Sequence, residues 1–278
     1  MEQNELFAKR IVMRPSDEKT SLVEVKKDVV YKTSDRGDLK MDVYYPKGSE
    51  CSKGMPAVIL IHGDGPWHFL QTIKDSGQYV SWGQLLAASG LIAVTFTHRS
   101  TERFSKLDEA VRDVEDALAY IRESGEQLGI ARERLGIWVC SAGGPVGLPT
   151  ALRNKAGDIR CVAALYAIMD LWSARAMLPD LDEQTLRAAS ARAALEEAPA
   201  NLPPLLVAKA GADRADLNTT IDDFVLTASK QNVSLDYYLH PDGRHAFDLW
   251  DDDLRSKQII NHTVAFFQNH LLEANSGS

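Results

Sequence analysis

Uninterrupted apolar runs of strand length alternate along this chain with segments whose apolar positions recur every three or four residues. Residues 57–61 read Ala-Val-Ile-Leu-Ile between Pro56 and Gly63, the pattern of a strand buried on both faces of a parallel sheet. Residues 91–96 repeat it, and further strand-like runs follow at 135–140, 161–168, 205–210 and 233–239. Between them, residues 80–89 read as a helix stopped by Gly90. From Leu107, the apolar positions Val111, Val114, Leu118 and Ile121 fall on one helical face, with Asp108, Arg112, Glu115 and Arg122 largely elsewhere. Ile259, Ile260, Val264, Phe267 and Leu271 mark a C-terminal helix in the same way. Nearer the start, two β-rich runs at 29–33 and 39–45 flank Ser34-Asp35-Arg36-Gly37-Asp38, a hairpin signal. The pattern predicts an α/β fold: a mostly parallel sheet of about eight strands with an N-terminal antiparallel hairpin and helices on both faces. One domain is expected over residues 1–278, with 1–30 as an N-terminal extension and 171–200 as a small helical insertion near the active site.

Composition narrows the class without changing this picture. Hydrophobic residues make up 45% and charged residues 25% of 278, ordinary for a globular chain, so disordered and collagen-like readings are excluded. The balance of 31 Lys and Arg against 39 Asp and Glu gives a net charge of -8, which offers no basic field for nucleic acid or anionic membrane. Cys51, Cys140 and Cys161 are too few and too scattered for a disulfide framework or a metal site. The start carries no signal-like apolar run, no stretch has membrane-spanning length, and the tail Asn275-Ser276-Gly277-Ser278 is small and polar. A cytoplasmic protein acting on a small molecule is expected, with no cofactor and no metal; the oligomeric state is not readable.

The chemistry lies in loops that follow predicted strands, where active sites of parallel sheets are built. Val139-Cys140-Ser141-Ala142-Gly143-Gly144 follows the fifth strand. His62-Gly63-Asp64-Gly65-Pro66-Trp67 follows the 57–61 strand. Gly211-Ala212-Asp213 and Asp242-Gly243-Arg244-His245-Ala246-Phe247 follow the last two. Together these loops resemble those of the α/β-hydrolase superfamily, in particular small serine carboxylesterases of the dienelactone-hydrolase and hormone-sensitive-lipase-like branch. The resemblance covers residues 40–272 and extends to Thr97-His98-Arg99-Ser100, where related esterases carry a D-Y-R-L-like turn. It implies Ser141 as nucleophile at a strand-to-helix elbow, His245 as base and Asp213 as the acid that orients it, in the chain order Ser, Asp, His. It also implies an oxyanion hole from the backbone amides of Gly63, Asp64 and Ala142. Physically, a serine hydroxyl needs a neutral imidazole to take its proton, and the imidazole needs a carboxylate to fix its tautomer.

Several positions depart from the pattern. Val139 replaces the first glycine of G-x-S-x-G, Asp64 replaces the middle glycine of an HGGG-type loop and places a carboxylate near the site, and Pro149 falls inside the elbow helix, where a kink or interruption is expected. Cys140 is a rival nucleophile, since dienelactone hydrolases use cysteine, but centring the turn there puts Trp138 at a position that must be small. Asp216 and Asp170 are alternatives to Asp213. Trp67, His68, Phe69 and Trp172 are expected to line the substrate pocket. The expected activity is hydrolysis of short-chain carboxylic esters through an acyl-serine; the alternatives are a non-catalytic ligand-binding member of the fold, or a peptidase or dienelactone-type hydrolase.

Overall fold

The structure, a computed structural model, describes residues 3–49 and 54–272; Cys51 and the tail 275–278 lie outside the described residues. Eight strands, β1 (Val23–Ser34), β2 (Gly37–Pro46), β3 (Met55–Ile61), β4 (Ile92–Phe96), β5 (Ile130–Cys140), β6 (Ile159–Leu165), β7 (Leu205–Ala210) and β8 (Leu235–His240), form one sheet in the order β1-β2-β4-β3-β5-β6-β7-β8. The β1–β2 and β2–β4 pairings are antiparallel and every other pairing is parallel. This is the mostly parallel sheet that the hydrophobic pattern predicts, in the α/β-hydrolase arrangement that the loop resemblance implies.

The apolar runs form strands because both faces of the sheet are covered. Residues of β3 alternate between two cores: Ala57, Ile59 and Ile61 pack on one side with the helices Leu107–Ser124 and Gly143–Arg153. Val58 and Leu60 pack on the other with Gly77–Ala88 and Leu254–Leu271. All five are fully buried. At roughly 25 cal/mol per Å² of apolar surface, each of the Val, Ile and Leu side chains contributes about 2 kcal/mol, and no polar face is left for alternation to reveal. Among the described residues, no helix is long and apolar enough to cross a membrane.

Several features differ from expectation, among them the start of β5 at Ile130 rather than at 135. Strand β1 begins at Val23, inside the segment read as an extension; it is an edge strand whose Lys26, Lys27 and Asp28 are exposed, and a register shift at Lys26/Val29 with Asp28 at φ 58° breaks the alternation. Strand β6 stops at Leu165 rather than at 168, because Tyr166 turns the chain with φ 41°. The elbow helix runs unbroken from Gly143 to Arg153 through Pro149. Pro149 is buried and lacks the backbone donor that would meet the Pro145 carbonyl, yet the helix continues through it. Residues 171–200 contain the 3-10 turn Trp172–Met177 and the short helices Glu183–Ala188 and Ala191–Glu197.

Candidate active site

The C-terminal ends of β3, β5, β7 and β8 bring the singled-out loops together. Ser141 follows the last residue of β5 with φ 53°, a left-handed conformation that a serine adopts only when its surroundings impose it. Backbone contacts impose it here. The Ser141 carbonyl accepts from the N–H of Gly144 at 3.1 Å and of Ile168 at 2.9 Å. A Cβ at Gly144 would lie 2.0 Å from the Ile168 carbonyl oxygen, and one at Gly143 2.5 Å from that of His62, so only glycine lets the helix start against both loops. Val139 is tolerated two residues before the serine because it is still in β5, in register with Ile61 and Ala164 and buried in the core.

A hydrogen-bonded chain leads away from Ser141. Its Oγ lies 2.9 Å from His245 Nε2, and His245 Nδ1 lies 2.5 Å from Asp213 Oδ2. With Nδ1–H donating to the carboxylate, Nε2 is free to accept the serine proton. The Asp213 side chain is 3% exposed and His245 is 41% exposed, so the carboxylate is shielded while the imidazole edge meets solvent. Asp213 Oδ1 also accepts from the Arg214 N–H at 2.7 Å. Neither alternative acid reaches the imidazole in this arrangement: Asp170 accepts from the Trp172 N–H and pairs with Arg192 at 3.1 Å, and Asp216 pairs with Arg214. Cys140, beside the serine, is buried with its Sγ 3.5 Å from the Tyr79 hydroxyl, and burial pushes its thiol up to about 12, which keeps it protonated and unreactive near neutrality.

Beside Ser141, a Cβ built on Gly63 would stand 3.0 Å from the serine Cβ, so the loop after β3 runs directly against the elbow. Among the described residues, the N–H groups of Asp64 and Ala142 have no acceptor in the chain, whereas the Gly63 N–H faces the Tyr79 hydroxyl and the Cys140 thiol. The Asp64 carboxylate is taken up by Ser100 and Thr101 on the loop after β4. His62 is fully buried and stacks on His98 with 3.6 Å between centroids. Its Nδ1–H donates to the Gly63 carbonyl at 2.6 Å, while Nε2 accepts from the His98 N–H at 3.1 Å. Burial holds both imidazoles below their ordinary range.

The four predicted pocket residues have different surroundings. Trp67 is half-buried against both cores, Phe69 stands edge-on to Phe7 at 5.0 Å, Trp172 lies under the Arg175 guanidinium, and His68 is exposed. Trp172 borders a cleft of about 160 Å³ with Asp170 and Arg192. A larger groove of about 910 Å³ is walled by Leu107, Val111, Pro145, Val146 and Pro149; it begins one helical turn beyond Ser141 and includes none of the four. Among the described residues, no group of three His, Cys, Asp or Glu could hold a metal ion.

Sequence reading missed the support behind His245. Tyr166 places its ring 5.0 Å from the imidazole, and its hydroxyl donates to Asp248 Oδ1 at 2.7 Å. Asp248 is fully buried and also accepts from Trp82 Nε1 at 2.8 Å and Gln78 Nε2 at 3.1 Å. Burial raises its carboxyl above the usual range despite the three donors. The only signal was an acidic residue following Phe247, which reads as a solvated helix start.

The BD-FAE family model matches residues 41–201, more than half of the chain, from β2 through the elbow to the helical segment before β7. The chain belongs to the BD-FAE family. Solved structures of Thermogutta terrifontis esterase 2 share its α/β-hydrolase fold. The native form superposes with a TM-score of 0.74 at 20% identity, covering 93% of this chain and 96% of that one. The form phosphoramylated by tabun gives 0.71 at 19%, covering 92% and 98%. Among curated proteins, the non-reducing polyketide synthase prhL of Penicillium brasilianum is 33% identical over 105 residues, 37% of this chain. The synthase ausA of Emericella nidulans is 32% identical over 105. In each case the match spans 4% of the relative's length.

Proposed function

We propose that this chain is a serine esterase that hydrolyses short-chain carboxylic esters, with residues 1–278 acting as one catalytic unit. The observation that carries the reading is the continuous Ser141, His245, Asp213 chain at 2.9 and 2.5 Å on a serine held at positive φ. The structural neighbours are esterases, in agreement with it.

In this reading Ser141 Oγ attacks the ester carbonyl carbon as its proton passes to His245 Nε2. The N–H groups of Asp64 and Ala142 receive the oxyanion, a contribution worth about 3 to 4 kcal/mol per donor. Asp213 holds the Nδ1–H tautomer and stabilises the imidazolium. Collapse breaks the bond to the alkoxy oxygen, which takes the proton from His245 and leaves as alcohol, with the acyl group on Ser141. Water then attacks the acyl carbon, giving its proton to His245, and the carboxylic acid leaves as the serine is restored. The short-chain preference rests on the half-buried Trp67, Phe69 and Trp172 and on the compact segment 171–200.

Steady-state hydrolysis of p-nitrophenyl acetate and p-nitrophenyl decanoate tests both parts. Faster turnover of the acetate, abolished in Ser141→Ala, is expected. Retained activity in that variant would overturn the mechanism, and preference for the decanoate would overturn the chain-length claim.

A further inference from the structure

Asp64 stands where the resembling oxyanion loop carries glycine, and its carboxylate is engaged by the neighbouring loop. Oδ1 accepts from Ser100 Oγ and from the Thr101 N–H, both at 3.0 Å, and Oδ2 accepts from Thr101 Oγ1. The segment these donors lead into is unusual. Glu102, Arg103 and Phe104 occupy the left-handed region consecutively, at φ 48, 60 and 73°, and none is glycine. L residues resist that conformation, and three in a row persist only when outside contacts over-determine them.

Backbone bonds from Lys106 to Thr101 and from Leu107 to Phe104 close the turn, and its side-chain contacts to the 102 and 104 N–H groups converge on Asp64. Ser100 Oγ donates to Asp64 and accepts from the Glu102 N–H at 3.1 Å; Thr101 Oγ1 donates to Asp64 and accepts from the Phe104 N–H at 3.0 Å. Both hydroxyls that hold the left-handed turn are therefore oriented by one carboxylate. A carboxylate offers two acceptor oxygens to three donors, whereas asparagine keeps one and turns an NH₂ donor toward a group that must donate. Glycine keeps none. On its other side Asp64 is joined to Gly63, whose backbone abuts Ser141, and His62 is tied to His98 by stacking and by the His98 N–H.

We propose that Asp64 is a positioning residue for the hydrolytic reaction: its carboxylate clamps the 100–104 turn to the loop after β3 and so fixes the orientation of the Asp64 N–H beside Ser141. This rests on the esterase reading above. The side chain acts through a backbone amide that serves the transition state, so its loss falls on kcat more than on KM.

The test compares Asp64→Gly, Asp64→Asn and Thr101→Val on p-nitrophenyl acetate, with folding checked by circular dichroism below the melting transition. Asp64→Gly is expected to lower kcat about 30-fold with KM within about threefold, Asp64→Asn about tenfold, and Thr101→Val about fivefold. Affinity for a trifluoromethyl ketone, which forms a hemiketal oxyanion on serine, falls by the same factors. A merely structural Asp64 would lower the melting temperature and leave both readouts at the parent value in the folded variants, which overturns the proposal. If Asp64→Gly does not fold, Thr101→Val at parent kcat overturns it equally. A parent enzyme inert toward the ester and the ketone would instead overturn the esterase reading itself.

Discussion

Of the turns beside the site that hold non-glycine residues at positive φ, two are secured by opposite means. At the elbow, Ser141 is fixed by backbone hydrogen bonds that close packing permits: glycines at 143 and 144 let the helix start against the carbonyls of His62 and Ile168. At 102–104, the left-handed run is fixed by polar side chains radiating from Asp64, and the turn itself contains no glycine. The difference teaches that strain can be held by what is absent or by what is present. Confinement resists pH and salt but fails with one added methyl group. A polar clasp tolerates size changes but depends on protonation and on the complete donor set.

Five perturbations test this contrast. The largest effect is expected from His245→Ala, which leaves both turns intact and removes only the group the elbow presents its oxygen to: kcat/KM for p-nitrophenyl acetate falls by about four orders of magnitude, with an unchanged melting curve. Next comes Gly144→Ala, which drives a methyl carbon into the Ile168 carbonyl; urea unfolding is expected to show a loss of about 3 kcal/mol. Gly90→Ala is the control, since its left-handed site is open and strain alone acts, costing about 1 kcal/mol.

Acidification strikes the other side. Burial depresses His62 and His98 below 6.5 in the folded chain, so below pH 6.5 the unfolded chain binds more protons. Their contribution to stability is complete above pH 6.5 and is lost as pH falls toward the folded values, by up to about 1.4 kcal/mol per histidine for the first pH unit. Unfolding at pH 7.5 and 5.5 measures this, and His98→Gln is expected to flatten the difference. The smallest effect is expected at Cys140: Cys140→Ala keeps kcat/KM within about threefold, because the buried thiol packs beside the serine and takes no part in its chemistry.

The same contrast explains what could be read from the amino-acid sequence. Steric devices leave a signature in residue type: apolar runs marked the central strands, and Ser141 among small residues marked the elbow. The histidine and its carboxylate were legible because each follows a strand that the hydrophobic pattern had already located. Polar devices were opaque. Nothing local separates Asp64 as a clasp from Asp64 as a stray charge, since its partners lie 36 and 37 residues away on the next strand's loop. Asp248 was hidden for the same reason, its donors coming from Gln78, Trp82 and Tyr166. Trp67, His68 and Phe69 are consecutive on one short helix, which turns them in different directions, and that local geometry could not be read from residue type alone.

Covalent capture of the nucleophile tests the central claim most directly. The protein is treated with a diethyl p-nitrophenyl phosphate ester, then analysed by intact mass and by fragmentation of the peptide that carries residues 140 and 141. A single diethylphosphoryl group on Ser141, retained in Cys140→Ala and absent in Ser141→Ala, is the predicted result. Absence of labelling in the folded parent protein, or labelling on Cys140 instead, would contradict the account.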